Sequence, residues 1–274
     1  MTEVKQEPLR VAVGGFGAIG LQVARALDRG IPGLRLVAVS ARDRKAASRR
    51  LSVFAQPVPV VALPELAELA EVVVECVPAA AFPDLAEPAV AGGRRLVTVS
   101  CGVLLRRWDL VERARDGGAQ IIVPSGALLG LDAVRAAAEG EIHSVRMVTR
   151  KPPVSLSGAP YLEEQGIDLE GLAEPRRIFR GSAREGAVGF PANVNVAAAL
   201  SLAGIGPDRT ELEIWADPAL TRNTHRIRVE ADSARFEMQI ENVPSEENPG
   251  TGKITALSVI ASLRGLTSPL RVGA

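Results

Sequence analysis

Histidine occurs twice in these 274 residues, at positions 143 and 225, so few side chains can exchange a proton near neutral pH. His225 lies in the run Asp217-Pro218-Ala219-Leu220-Thr221-Arg222-Asn223-Thr224-His225-Arg226-Ile227, where an alternating apolar pattern begins. Period two puts its ring on the face of Ile227 and Val229, so an imidazole of near-neutral pKa is expected at a strand end on the core side. His225 is therefore the catalytic candidate, a general base; a histidine satisfied within a core is the plainer alternative. His143 has no polar motif around it and reads as an edge residue. The cysteines, Cys76 and Cys101, sit among apolar or small residues. Cys101 has no histidine near it in sequence, which argues against a thiol nucleophile. Two histidines and two cysteines this scattered lack metal-ligand spacing, and no metal is expected.

A second chemistry is written in glycines. The strand-like Val11-Ala12-Val13 runs into Gly14-Gly15-Phe16-Gly17-Ala18-Ile19-Gly20 and then into a helical pattern from Leu21 to Leu27. Gly15 suits a tight turn, Gly17 a close approach of backbone to phosphate, and Gly20 the packing of helix on strand. Amides at the helix start, at Phe16, Ala18 and Ile19 among others, would face the pyrophosphate of a dinucleotide. The next strand ends in Ser40-Ala41-Arg42-Asp43-Arg44. The position where an acid would hold the ribose of NAD falls on Ala41, while Arg42 can pair with the extra phosphate of NADP; Asp43 is a possible ribose ligand. Either NAD or NADP is the expected cofactor. Asn193 and Asn195 open a helix of Val, Ala and Leu, as caps or as amide contacts to a cofactor or substrate. Ser100-Cys101-Gly102 and Ser125-Gly126-Ala127 each follow a predicted strand, which places Cys101 and Ala127 among small residues lining a nicotinamide path.

The elements that must position these residues alternate over the first half. Runs at Val11–Gly14, Leu34–Ser40, Val72–Cys76, Leu96–Ser100 and Gln120–Val123 read as strands, with helices centred near Ala24, Ala67, Leu85 and Val111. This is the rhythm of a Rossmann domain, a doubly wound parallel sheet. After Pro124 the pattern turns to antiparallel strands at His143–Arg150, Glu211–Ala216, His225–Glu230 and Ala234–Glu241. The fold class is thus α/β, an N-terminal Rossmann sheet plus a second α+β domain with a largely antiparallel sheet. Expected domains are 1–130 for the dinucleotide, 131–250 for substrate and catalysis, and 251–274 as a helix returning to the first domain on a stripe of Ile254, Leu257 and Ile260. The segment Val154–Phe190, rich in Gly, Glu and Arg, has weak periodicity and leaves room for a mobile loop within it. Lys plus Arg and Asp plus Glu number 32 each, so no global field attracts nucleic acid or an anionic membrane. The polar residues 1–10 carry no secretion signal and the apolar runs are too short to span a bilayer, so a cytoplasmic protein is expected. An exposed face of the second sheet suggests a homodimer.

Five phrases together resemble the L-aspartate dehydrogenase family: Gly14 to Gly20, Pro124-Ser125-Gly126-Ala127, Phe190-Pro191-Ala192-Asn193-Val194-Asn195-Val196-Ala197-Ala198, Asp217-Pro218 with Asn223-Thr224-His225, and Glu247-Asn248-Pro249-Gly250-Thr251. The resemblance spans nearly the whole chain. It implies oxidative deamination of L-aspartate with NAD or NADP through iminoaspartate, which hydrolyses to oxaloacetate and ammonia or feeds NAD biosynthesis. It matches His225 to the active-site histidine and Ala127 and Asn195 to cofactor contacts, with Asn193 a neighbouring candidate. The departures are Ala41-Arg42 and Gly252, where the family often has Ser. A dicarboxylate substrate needs cationic partners, for which Lys151, Arg150, Arg222 and Arg226 are all open. The alternatives are a sugar or polyol dehydrogenase of the glucose–fructose oxidoreductase type, in which Arg150-Lys151-Pro152 would stand for a Glu-Lys-Pro motif, and a non-catalytic nucleotide sensor.

Overall fold

The structure is a computed structural model that describes residues 7–248 and 250–273, so residues 1–6 of the polar start and Pro249 of the last motif lie outside the described residues. The chain forms two compact units. Among the described residues, the first runs to Ser100 and adds Arg107–Pro124 and Ala256–Arg271; the second is built from Cys101–Arg106, Ser125–Thr255, Val272 and Gly273.

The first unit holds five parallel strands, β1 Leu9–Gly14, β2 Leu34–Ser40, β3 Val72–Glu75, β4 Arg95–Thr98 and β5 Gln120–Ile122, in the order β2-β1-β3-β4-β5. Unbroken burial of Val11–Val13 and Val72–Val74 reflects a sheet covered on both faces, where strands need not alternate. On one face the helix Ala18–Asp28 buries Leu21, Val23, Ala24 and Leu27 with Val11 and Val13. On the other, the position of a Cβ on Gly14 falls against Leu85 and Leu66. The order reverses between β1 and β3, so the carboxyl ends of these two strands form the switch point where such sheets bind ligands. The C-terminal helix, Lys253–Gly265, enters this unit at Ala256 and places Val259 and Leu263 in its core. The expected stripe is displaced in part: Ile254 and Leu257 are exposed at 38% and 57%, Ile260 packs half-buried against the core as expected, and Ala256, Val259 and Leu263 are buried. Both rows satisfy a helical period, and the row of smaller residues is the one that packs on the sheet.

The second unit carries β6 Ile142–Lys151, β7 Arg176–Ser182, β8 Thr210–Ala216, β9 Thr224–Ala231 and β10 Arg235–Glu241, in the order β10-β9-β6-β8-β7. Three of the pairings are antiparallel and β6 and β8 run parallel, so the sheet is largely antiparallel, as expected, with one parallel pair. The chain between them contains β7 and the helices Ala183–Gly189 and Asn195–Ala203, long enough for a crossover. Val154–Phe190 contains the helix Pro160–Glu164, β7 and the helix Ala183–Gly189. β7 escapes a period-two reading because its register shifts between Arg177 and Phe179, which leaves the consecutive Ile178 and Phe179 both buried. The sheet's outer face is polar: Arg146 meets Glu211 at 2.9 Å and Arg226 meets Glu237 at 2.6 Å.

Candidate active site

Alternation along β6 and β9 buries Val145, Met147, Thr149 and Lys151 on one strand and His225, Ile227 and Val229 on the other. The antiparallel register sets Thr149 directly opposite His225. The Thr149 hydroxyl and His225 Nδ1 lie 3.1 Å apart. With the proton on Nδ1, the ring donates to Thr149 and Nε2 keeps its lone pair, the form a base requires. His225 is 2% exposed, and its pKa is not near neutral as expected but lowered to about 3. Burial is the larger cause and the charge of Lys151 the second. The imidazole is thus held neutral across the physiological range.

Lys151 stands two residues beyond Thr149 on the same buried face, at 6% exposure. Its ammonium donates to Asn193 Oδ1 at 2.7 Å, and burial lowers its pKa to about 8. Asn193 is held in turn by its amide, which donates to the Phe190 carbonyl at 2.8 Å. Neither asparagine caps the Asn195–Ala203 helix, whose N-cap is Val194. Asn195 Oδ1 instead accepts from the Gly102 amide at 3.0 Å, fixing the Cys101–Leu104 turn of helix. Ala127 presents its carbonyl to Asn242 Nδ2 at 3.1 Å, while the buried Asn242 Oδ1 has no partner among the described residues. Gly252 lies beside it, a Cβ there falling 3.0 Å from Oδ1. Sequence reasoning overlooked Thr149 and Asn242; the Thr149 contact could be found only by knowing how β6 and β9 register.

In the first unit the three glycines after β1 have three different surroundings. Gly15 has φ +88, and a Cβ on it would strike the Cys76 carbonyl. A Cβ on Gly20 would strike the Gly15 carbonyl, so helix and strand could not approach. Gly17 is exposed, with nothing within 4 Å of a Cβ, and as N-cap of the first helix it gives no side-chain cap to the amides of that helix. An open cradle above uncapped amides fits a pyrophosphate. Ala18 and Ile19 start the helix and Phe16 turns inward, its ring 6.4 Å from that of Phe54. The loop is braced by Arg50, which donates to the Phe16 carbonyl at 3.1 Å. Arg42 is exposed just past β2, while Asp43 Oδ1 caps the helix Arg44–Leu51 by accepting from the Ala46 amide at 2.9 Å.

The ends of β3 and β4 are joined by Glu75, which the sequence reading missed. Its Oε1 accepts from the Val77 amide at 2.9 Å and the Ser100 hydroxyl at 3.0 Å; Oε2 accepts from the Thr98 hydroxyl at 2.6 Å and the Ser100 amide at 3.2 Å. Burial raises its pKa against the pull of these donors.

A glycine-loop sheet in one unit and, in the other, a buried neutral imidazole beside a lysine mark an NAD(P)-dependent oxidoreductase. The family description "Homoserine dehydrogenase, NAD binding domain" matches residues 15–124, and "Aspartate dehydrogenase, C-terminal" matches 132–266. The L-aspartate dehydrogenase of Bradyrhizobium diazoefficiens is 57% identical over 97% of this chain and 94% of its own. L-aspartate dehydrogenase 3 of Bordetella bronchiseptica is 54% identical over 98% of both chains. The crystal structure of aspartate dehydrogenase from Thermotoga maritima superposes with a TM-score of 0.70 at 25% identity, covering 97% of this chain and 99% of that one. The chain belongs to the aspartate dehydrogenase family.

Proposed function

We propose that the protein oxidises L-aspartate to iminoaspartate, which water converts to oxaloacetate and ammonia. The observation that carries this reading is likeness to an L-aspartate dehydrogenase at 57% identity over nearly the full length. NAD or NADP, when bound, supplies the acceptor for the hydride that leaves the substrate α-carbon. The chain's own part is proton chemistry. The substrate enters as an ammonium, whose nitrogen has no lone pair with which to form the C=N bond. His225 Nε2 takes a proton from that nitrogen, while Thr149 holds Nδ1 and so fixes the ring. Gly15, Phe16, Gly17, Ala18, Ile19 and Gly20 are assigned to the pyrophosphate. Ala127 and Asn195 are assigned as cofactor contacts by the family resemblance, with Asn193 a neighbouring candidate, and Cys101 by its place just after a strand of the parallel sheet. NADP serves at least as well as NAD in this reading, since the exposed Arg42 is available to a phosphate.

Purified protein assayed with L-aspartate, other amino acids and polyols, each with NAD and with NADP, tests the reaction. Reduction of cofactor with L-aspartate and not with polyols is expected; polyol-dependent reduction would reassign the enzyme. Arg42→Ala should raise the KM for NADP severalfold and leave that for NAD nearly unchanged. Equal changes would give Arg42 a role in the loop rather than in phosphate recognition. A homodimer belongs to the same proposal, supported by the mixture of Arg and Glu on the second sheet's outer face, which can complement its own two-fold mate. A monomer at micromolar concentration in sedimentation rules it out.

A further inference from the structure

The reading of a dicarboxylate amino acid as substrate leaves open which cation receives it. Four are near in sequence, and the structure separates them. Arg150 turns to the opposite face of β6, stacked 5.0 Å over the Trp215 ring and 3.5 Å from Asp217. Arg226 is spent on Glu237 at 2.6 Å, and Arg222 is exposed. Lys151 alone of the four shares the buried face of His225 and Thr149. Among the described residues no carboxylate lies within 4.0 Å of its ammonium, and its one hydrogen bond goes to the neutral Asn193. A buried ammonium with two donors unused is costly to fold around, and it is the kind of site an anionic group completes.

We propose that Lys151 receives one carboxylate of the substrate and that Asn193 is a positioning residue that aims its ammonium. This rests on the proposed function, and it deepens the role of His225. The charge on Lys151 helps to hold the imidazole at about 3, second to burial. A substrate carboxylate seated on Lys151 offsets that charge, so the base gains proton affinity when its substrate arrives. The cation remains protonated at neutral pH, being lowered only to about 8.

The test uses succinate, a dicarboxylate that cannot be oxidised at an amine, titrated calorimetrically into the full-length protein with and without NADH. Lys151→Met should weaken succinate at least tenfold while changing NADH affinity less than twofold. Removal of a buried charge leaves the fold intact, which the melting temperature checks; Lys151→Gln is the second variant. Asn193→Asp, which gives the ammonium an internal carboxylate, should weaken succinate more than Asn193→Ala does; the reverse order would remove Asn193 from a positioning role. His143→Asn leaves one histidine for NMR, and its titration should move up by a unit or more with saturating succinate. Succinate affinity within twofold of wild type in both Lys151 variants overturns the proposal, as does wild-type protein that binds no succinate. Lys151-dependent succinate binding without aspartate oxidation would instead keep this site and refute the proposed function.

Discussion

His225 shows what burying a titratable ring does to one side chain. Placing an imidazole at 2% exposure near a lysine charge lowers its folded pKa from 6.5 to about 3. Between those values the unfolded chain binds a proton that the folded chain refuses, so stability falls as pH drops through that window and is fully present above 6.5. His225→Gln keeps a polar group near Thr149 but cannot titrate. Its melting temperature should decline less than that of wild type between pH 6.5 and pH 4; an equal decline would show that His225 is not the group being charged. The same variant should lose turnover by about a hundredfold or more with cofactor affinity unchanged, the range for loss of a general base. Near-normal turnover would remove His225 from the reaction. Its place on a buried face was legible from two-residue periodicity, because Ile227 and Val229 mark that face. Its lowered pKa was not, because the depth of its burial and the approach of the Lys151 charge come only with the pairing of β6 and β9.

Strand ends are where the parallel sheet meets its ligand, and Glu75 governs two of them. Four donors converge on one carboxylate, so the backbone after β3 and that after β4 are fixed by a single side chain. Glu75→Gln would turn an amide NH2 toward groups that already donate. It should cost about 1–3 kcal/mol and weaken NADH binding. The folded pKa is raised by burial, so the folded state holds its proton to higher pH than the unfolded state. That contribution to stability is present below the ordinary glutamate value and is lost as pH rises through the folded one, and the variant should abolish it. Unchanged melting and NADH affinity would show that the four contacts are incidental. The parallel sheet was readable strand by strand, because valine runs followed by helices admit few other arrangements. β7 was hidden by its bulge, yet Ser182-Ala183-Arg184-Glu185 was an available signal: Ser182 and Glu185 form a capping box that starts the helix Ala183–Gly189. Glu75 read as part of an apolar strand, since nothing local shows that Thr98 and Ser100 will converge on it.

The chain builds its first unit, leaves it for the second, and comes back. The core of the first unit is completed only when the helix Lys253–Gly265 delivers Val259 and Leu263, both 0% exposed, beside Val11, Val13 and Leu27. A unit whose core takes in so distant an element should depend on that element more than on any one loop. Leu263→Ala removes a fully buried side chain, with an expected cost of about 2–5 kcal/mol. Two tryptophans locate the damage, since Trp108 belongs to the first unit and Trp215 to the second. Trp215→Phe leaves Trp108 as the sole indole reporter, and Trp108→Phe leaves Trp215. In the Leu263→Ala background the Trp108 transition should fall by several degrees, more than the Trp215 transition, and NADH binding should be lost with the former. Equal falls at the two tryptophans would mean that the units melt as one body; a fall at Trp215 alone would overturn the assignment of this helix to the first unit's core.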